Sequence, residues 1–385
     1  MSGTDRRTFL RTAGLAGLAS SVAPELLAQT SGGFTVEEAS SQPTRKPEHS
    51  IKFAVVGLDH AHIYSMTAAV QRGGGQLVSV YASDPQQVAA FRKRFGDVKL
   101  ARSEAEILED KSIQLVAGAP IPDLRAPLGI RVMRAGKDFL SDKPAITTLE
   151  QLADVRRAVK ETGRKFAVMY SERLEVRAAV HAGDLIKQGA IGRVIQTVNL
   201  APHQINAPSR PAWFFEKSRY GGILTDIGSH QADQFLFYTN STRAQVVSSQ
   251  TGNVAHPQYP QFEDFGDMVM AGNGGTGYVR VDWFTPNGLG TWGDGRLFIV
   301  GTDGYIELRK YVNVASDLKG GNHLYIVDQK EARYIDCKNV ELPFGPQFVT
   351  DIVKRTQIAQ DQEQALLAAE LVLIAQKNAT KPLIA

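Results

Sequence analysis

Paired cysteines, long apolar runs and an excess of charge of one sign are all missing from this chain. A single cysteine, Cys337, rules out an intramolecular disulfide. No second Cys or His stands near it at zinc-finger spacing, so it reads as an ordinary strand residue. The net charge is only +3, with basic and acidic residues interspersed, which leaves no electrostatic footprint for nucleic acid. After the extreme N-terminus no apolar run approaches the roughly eighteen residues of a transmembrane helix, and no membrane span is expected. What is present is 43% hydrophobic and 22% charged, the composition of a globular protein. At 385 residues, two domains are the natural division.

Asp5-Arg6-Arg7-Thr8-Phe9-Leu10-Arg11 precedes a modest apolar stretch ending near Leu27-Ala28. Residues 1–28 therefore read as a twin-arginine signal, with export to the periplasm or beyond as the expectation. That route usually carries folded proteins, often with a cofactor inside, and suits a chain without disulfides. Residues 29–50 are rich in Ser, Thr, Gly, Pro and charge, and read as a linker.

From Ile51 the pattern changes. Ile51–Val56 is a nearly continuous apolar run, as in a strand buried on both faces. Strand-like runs at 76–81 and 113–118 alternate with helical patterns at 85–95 and 126–135, which predicts a doubly wound parallel sheet. Residues 51–170 are thus expected to form a Rossmann-type dinucleotide-binding domain. The first turn reads Gly57-Leu58-Asp59-His60-Ala61-His62, where the ideal fingerprint has glycines at 57, 59 and 62. Gly57 can supply the tight turn and the following helix N-terminus can meet a pyrophosphate. Asp59 would repel that anion unless it turns away to cap the helix. His60 and His62 suit a phosphate contact, the substrate cleft or the surface. At the end of the second strand Asp84 stands slightly late for a ribose contact and also reads as the start of the next helix, with Arg92 and Arg94 near enough for a 2′-phosphate. NAD and NADP both remain open.

Gly136 ends a helix, and a short strand then leads into Asp142-Lys143-Pro144, which aims Lys143 at the crevice beyond the carboxyl ends of the strands. Further on, Gly221-Gly222 opens a helical pattern in which Asp226, His230 and Asp233 recur at spacings of four and three, on one helix face. An N-capped helix whose His230 is satisfied by Asp233 is the structural alternative. Asp226, His230 and His203 also permit a metal ion without demanding one, and no metal site is assigned.

These residues resemble the glucose-fructose oxidoreductase and inositol dehydrogenase family, known as Gfo/Idh/MocA, from about Ile51 to the final helix. Asp142-Lys143-Pro144 is similar to the family's Glu-Lys-Pro, and Asp226 to His230 to its Asp-to-His helix motif. Gly189–Val194, Arg210–Phe214 and Gly301–Glu307 add to the likeness. The resemblance implies that Lys143 lies beside nicotinamide and substrate, that His230 acts as acid or base, and that Asp226 orients the substrate or the histidine. It implies an α+β second domain, residues 171–385, with a large open, mostly antiparallel sheet that pairs across subunits into a homo-oligomer. Strand-like runs at 194–200, 244–250, 267–271, 277–284, 297–301 and 305–309 support that domain independently. His203, Arg210 and Trp213 precede the glycine turn and are candidates to face the substrate. Residues 366–376 read as an amphipathic core helix.

The expectation is hydride transfer between NAD or NADP and a sugar, polyol or sugar derivative, with the cofactor kept bound. A redox-neutral glycosidase or sugar transhydrogenase is the second reading. A metal-dependent hydrolase or lyase, or a cofactor-free sugar-binding protein, are the alternatives of another class.

Overall fold

The structure is a computed structural model that describes residues 35–38, 46–316 and 320–382. The twin-arginine pattern lies outside the described residues. The described chain opens with a short strand, β1 (Thr35–Glu38). Six strands then build one parallel sheet: β2 (Ile51–Val56), β3 (Gly75–Tyr81), β4 (Lys99–Leu100), β5 (Leu115–Gly118), β6 (Asp138–Asp142) and β7 (Phe166–Met169), in the order β4-β3-β2-β5-β6-β7. β5, β6 and β7 are buried along their whole length, as strands sandwiched between helices must be. The connecting helices start and stop where local chemistry dictates. Asp84 caps the helix Pro85–Phe95, which has proline in its first turn. Thr148 caps Leu149–Thr162, which ends on a left-handed Gly163. Strand order reverses between β2 and β5, the kind of switch point beyond whose strand ends parallel sheets bind their ligands.

The second sheet comprises β8 (Val194–Pro202), β9 (Ala244–Gly252), β10 (Phe265–Gly272), β11 (Thr276–Asp282), β12 (Arg296–Gly301), β13 (Gly304–Arg309), β14 (His323–Asp328) and β15 (Ala332–Asp336), with β1 at its edge. Its order is β1-β15-β14-β13-β12-β8-β11-β10-β9, antiparallel except at β8–β11 and β1–β15. β1 lies inside the stretch read as a linker. It is a polar segment, Thr-Val-Glu-Glu, whose strand character comes from its pairing with β15 and not from its own pattern. Side chains alternate between buried and half-buried along β10, β11 and β12. One face packs under the helices Gly228–Tyr238 and Gln362–Asn378, while the other stays partly open.

The chain finally returns to the first domain. The helix Phe344–Lys354 packs on His62–Arg72 so closely that a Cβ on Gly345 would lie 2.1 Å from the carbonyl oxygen of Ala69. The helix Gln362–Asn378 touches Leu149–Thr162 and β7 as well as β9, and so ties the two sheets together. No helix among the described residues is long and apolar enough to cross a membrane.

Candidate active site

The carboxyl ends of β2, β5, β6 and β7 carry the residues that meet the second domain. Gly57 follows β2 with φ of 81°, a left-handed turn in which a side chain would strike Pro120. The turn is pinned to the end of β5, His60 N donating to Ala119 O at 3.1 Å. Asp59 does not cap the next helix. The residue before that helix is Ala61, no side chain caps it, and the half-buried Asp59 carboxyl is pushed up by burial. Asp84 does cap its own helix, accepting from Gln86 N at 2.8 Å, so its carboxylate is already engaged at the end of β3.

Asp142, the last residue of β6, is the hub of the site. Its side chain is fully buried and accepts from its neighbour's amide, Lys143 N, at 2.7 Å and pairs with His62 Nδ1 at 2.9 Å. His60 Nδ1 at 2.9 Å and Arg125 Nη2 at 3.0 Å approach its other oxygen. Burial works against the charge, but Arg125, His62 and His60 hold this carboxyl well below the usual range. Arg125 is itself buried and donates to the carbonyl oxygens of Pro120, Lys143 and Pro144, which fixes the backbone of the Asp142-Lys143-Pro144 turn, whose Lys143–Pro144 bond is cis.

Lys143 Nζ donates to Asp226 Oδ1 at 3.0 Å across the domain junction. Lys143, Arg125 and His60 keep Asp226 ionised despite its burial. Asp226 ends the short helix Ile223–Asp226, and a second helix, Gly228–Tyr238, carries His230 and Asp233. The backbone between them stays right-handed helical at Ile227, with a tightened turn in which His230 N donates to Ile227 O at 3.1 Å. Asp233 pairs bidentately with Arg173, at 2.6 and 2.9 Å, and not with His230. Asp226 bonds Lys143 and has no hydrogen bond with His230, so the orienting role falls on the lysine. His230 Nδ1 is buried with no hydrogen-bond partner. Burial first, and then Lys143, His62 and Lys310, lower its pKa to about 3 against the opposing pull of Glu172, so the imidazole is neutral at physiological pH.

His203 joins this group. Its Nδ1 lies 3.1 Å from Ala201 O, its ring packs on Trp283 and Trp292, and burial lowers its pKa to about 4. Arg210 stacks over Phe214 and Trp283, and Asp226 acts on its charge. Trp213 instead packs half-buried against the core and Phe214. Behind His230, fully buried Lys310 donates to Glu172 at 2.8 Å and to Gln234 at 2.7 Å, and Gln231 donates to Glu172 at 2.9 Å.

Arg125, Asp142, Glu172 and Lys310 were not singled out as site residues from the sequence. Asp142 ends β6, so a carboxylate at the end of the short strand read before Lys143 was the available signal there, whereas Glu172 sits on the helix Ser171–Leu174 after β7, a strand the sequence reading did not assign. Nothing around Arg125 or Lys310 marks either. The triad Asp226, His230 and His203 is not brought together as metal ligands. Among the described residues, the donor cluster close enough to hold an ion is His60, His62 and Asp142.

Residues 51–170 match the family model for the oxidoreductase family, NAD-binding Rossmann fold, and residues 180–307 match the GFO/IDH/MocA C-terminal domain. A crystal structure named for an oxidoreductase of Erwinia carotovora atroseptica SCRI1043 is 48% identical, covering 86% of this chain and 99% of that one with a TM-score of 0.83. The 1,5-anhydro-D-fructose reductase of Ensifer adhaerens is 29% identical over 53% of this chain and 60% of its own length. For the NADP-dependent scyllo-inositol 2-dehydrogenase of Bacillus subtilis the values are 24%, 45% and 47%. The match thus spans about half to three fifths of these curated relatives. With both of its domains matched and a near full-length relative at 48% identity, the chain belongs to the Gfo/Idh/MocA oxidoreductase family and carries that family's NAD-binding Rossmann domain.

Proposed function

We propose that the protein is a nicotinamide-dependent oxidoreductase acting on a hydroxyl or carbonyl group of a sugar, polyol or sugar derivative. The observation that carries this reading is the Lys143–Asp226 pair at 3.0 Å, set beside a neutral, buried and unpartnered His230 at the carboxyl end of a parallel sheet. The residues fit a dinucleotide. Gly57 supplies the left-handed turn and the strand order reverses where the turn meets the end of the sheet. NAD and NADP are both proposed, since Asp84 is committed to its helix cap. The curated relatives act on an anhydrosugar and an inositol, which supports the substrate class.

When bound, the nicotinamide ring gives or takes the hydride. His230, neutral in the resting site, takes the proton of the reacting hydroxyl in the oxidative direction and returns it in the reductive one. Lys143, held in place by Asp226, polarises the same oxygen with its ammonium group. His203 and Arg210 line the substrate side. We also propose export by the twin-arginine route, on the strength of Arg6-Arg7 and the apolar stretch behind them. Outside the cytoplasm free nicotinamide is not replenished, which favours a cofactor that stays bound. It also favours a second reading, a redox-neutral glycosidase or sugar transhydrogenase that regenerates the cofactor in each cycle.

Protein purified without added cofactor and then heat-denatured is expected to release NAD or NADP, read by absorbance and mass spectrometry. An empty protein that also binds neither nucleotide on titration would overturn the assignment. Lys143→Ala and His230→Ala should each lower turnover by roughly 10²–10⁴-fold; Lys143→Ala also leaves the buried Asp226 carboxylate without its partner and should lower the thermal midpoint.

A further inference from the structure

The nucleotide turn has histidines where a plain dinucleotide turn has small residues, and both imidazoles are aimed at one carboxylate. We propose that His60, His62 and Asp142 form a binding site for one divalent transition-metal ion of the zinc class, on the first-domain wall of the cleft. The donor atoms of the three residues lie within 4.8 Å of one another, with His60 Nδ1 and His62 Nδ1 each 2.9 Å from a different oxygen of Asp142. An ion bonded at about 2.0–2.1 Å to each member of a tetrahedral set spaces its donors about 3.3 Å apart, so each histidine needs to move by a few tenths of an ångström from the carboxylate and the most separated donors by at most about 1.5 Å.

Hydrogen bonding alone leaves part of the arrangement unexplained. Asp142 Oδ2 is fully buried and makes no aligned hydrogen bond, although His60 Nδ1 and Arg125 Nη2 stand within 3.0 Å of it. The two imidazole rings meet edge to face with centroids 4.2 Å apart, and each turns its Nδ1 to one oxygen of the same carboxylate, His60 Nδ1 also accepting a long bond from His62 N at 3.5 Å. The carboxylate is held from behind, as metal-ligating carboxylates are, by the Lys143 amide and by Arg125. Arg125 does not make the place cationic. Asp142, Asp226, Asp59 and Asp123 all act on its charge, and against Arg125 and Lys143 they leave room for a cation. The histidine side chains are 26% and 35% exposed, so an ion has a path in and its remaining coordination positions open on the cleft. Residue types also agree with the zinc class, two imidazoles and one carboxylate being ligands for zinc and its neighbours and not for magnesium or calcium.

This site shares the Gly57–His62 turn with the nucleotide reading but does not rest on it, so the two ligands are titrated separately. The experiment is calorimetric titration of zinc chloride into untagged, chelator-treated protein, with NAD and NADP titrated separately into the same preparation. The expected result is one zinc equivalent, with zinc raising the thermal midpoint. His60→Ala and His62→Ala are each expected to weaken binding by roughly tenfold or more. Both changes are at half-exposed positions, and circular dichroism verifies the fold of each variant. Folded wild-type protein that takes up no zinc, or uptake unchanged in both folded variants, would overturn the site and show a carboxylate that merely pairs with two imidazoles. Nucleotide binding without zinc binding removes this proposal alone; zinc binding without nucleotide binding removes the nicotinamide reading alone.

Discussion

Glu172 and Lys310 face each other in the buried interior, with side chains 4% and 0% exposed. Among the described residues the Lys310 ammonium group donates to Glu172 and Gln234. The burial cost is offset by Lys310, which together with His230 and His203 holds Glu172 far below the usual carboxyl range. Removing one charge should therefore cost more than removing both. Glu172→Gln is expected to destabilise the fold by about 3 kcal/mol or more, while Glu172→Leu combined with Lys310→Met should recover most of that loss. Urea denaturation of the single and double variants reads the difference; a double variant as unstable as the single one would refute the coupling. Residues of this kind are the least legible in a sequence. Lys143, Asp226 and His230 could be picked out because turns and helix spacing mark them. Lys310 belongs to the same centre only because the fold brings the residue after β13 to Glu172 and Gln234, and contacts between residues 138 positions apart leave no local trace.

Elements whose own pattern decides their state were the ones the sequence made plain. β2 and the helix Pro85–Phe95 fall where the apolar run and the Asp-Pro start place them. The strand runs from 194 to 309 correspond to β8 through β13, with ends shifted by a few residues. β1 and β15 are polar-laced segments that become strands by pairing with each other and with β14. The partners of the two carboxylates were hidden as well, because the helical spacing of Asp226, His230 and Asp233 says nothing of Lys143 and Arg173, which pair with Asp226 and Asp233 respectively. The large sheet carries a further consequence. Val269, Tyr278, Val198 and Phe298 occupy aligned positions across β10, β11, β8 and β12 on its partly open face. A half-covered apolar row of that length suits a second copy of the sheet, and we propose that the homo-oligomer forms there. Phe298→Asp should lower the mass observed in sedimentation velocity while leaving the circular dichroism spectrum intact. A wild-type protein that sediments as a monomer would dispose of the idea.

At the scale of the whole molecule, the cleft makes stability depend on pH in a definite direction. His203 and His230 titrate near 6.5 in an unfolded chain. In the folded protein burial lowers them to about 4 and about 3. As pH falls below about 6.5 the unfolded state binds protons that the folded state refuses, so stability present above that value is lost progressively towards pH 4. The depressed carboxyls Asp142 and Asp226 act in the same direction, but only lower, as pH drops through the ordinary carboxyl range and beneath it. Asp59 and Asp282, which burial pushes up, take protons earlier in the folded state and oppose the loss near that range. The histidine effect should therefore stand clear between about pH 6.5 and pH 5, above the window in which the carboxyls compete. The thermal midpoint is expected to be level above neutrality and to fall across that interval. His60, which burial also lowers to about 4, adds to the same fall, and His203→Gln should make it shallower, since one of the three refused protons disappears from the unfolded state. A midpoint that stays level down to about pH 4 would mean that water reaches these imidazoles in the folded protein. A neutral His230 in the resting cleft, on which its role as proton acceptor depends, would then lose its physical basis.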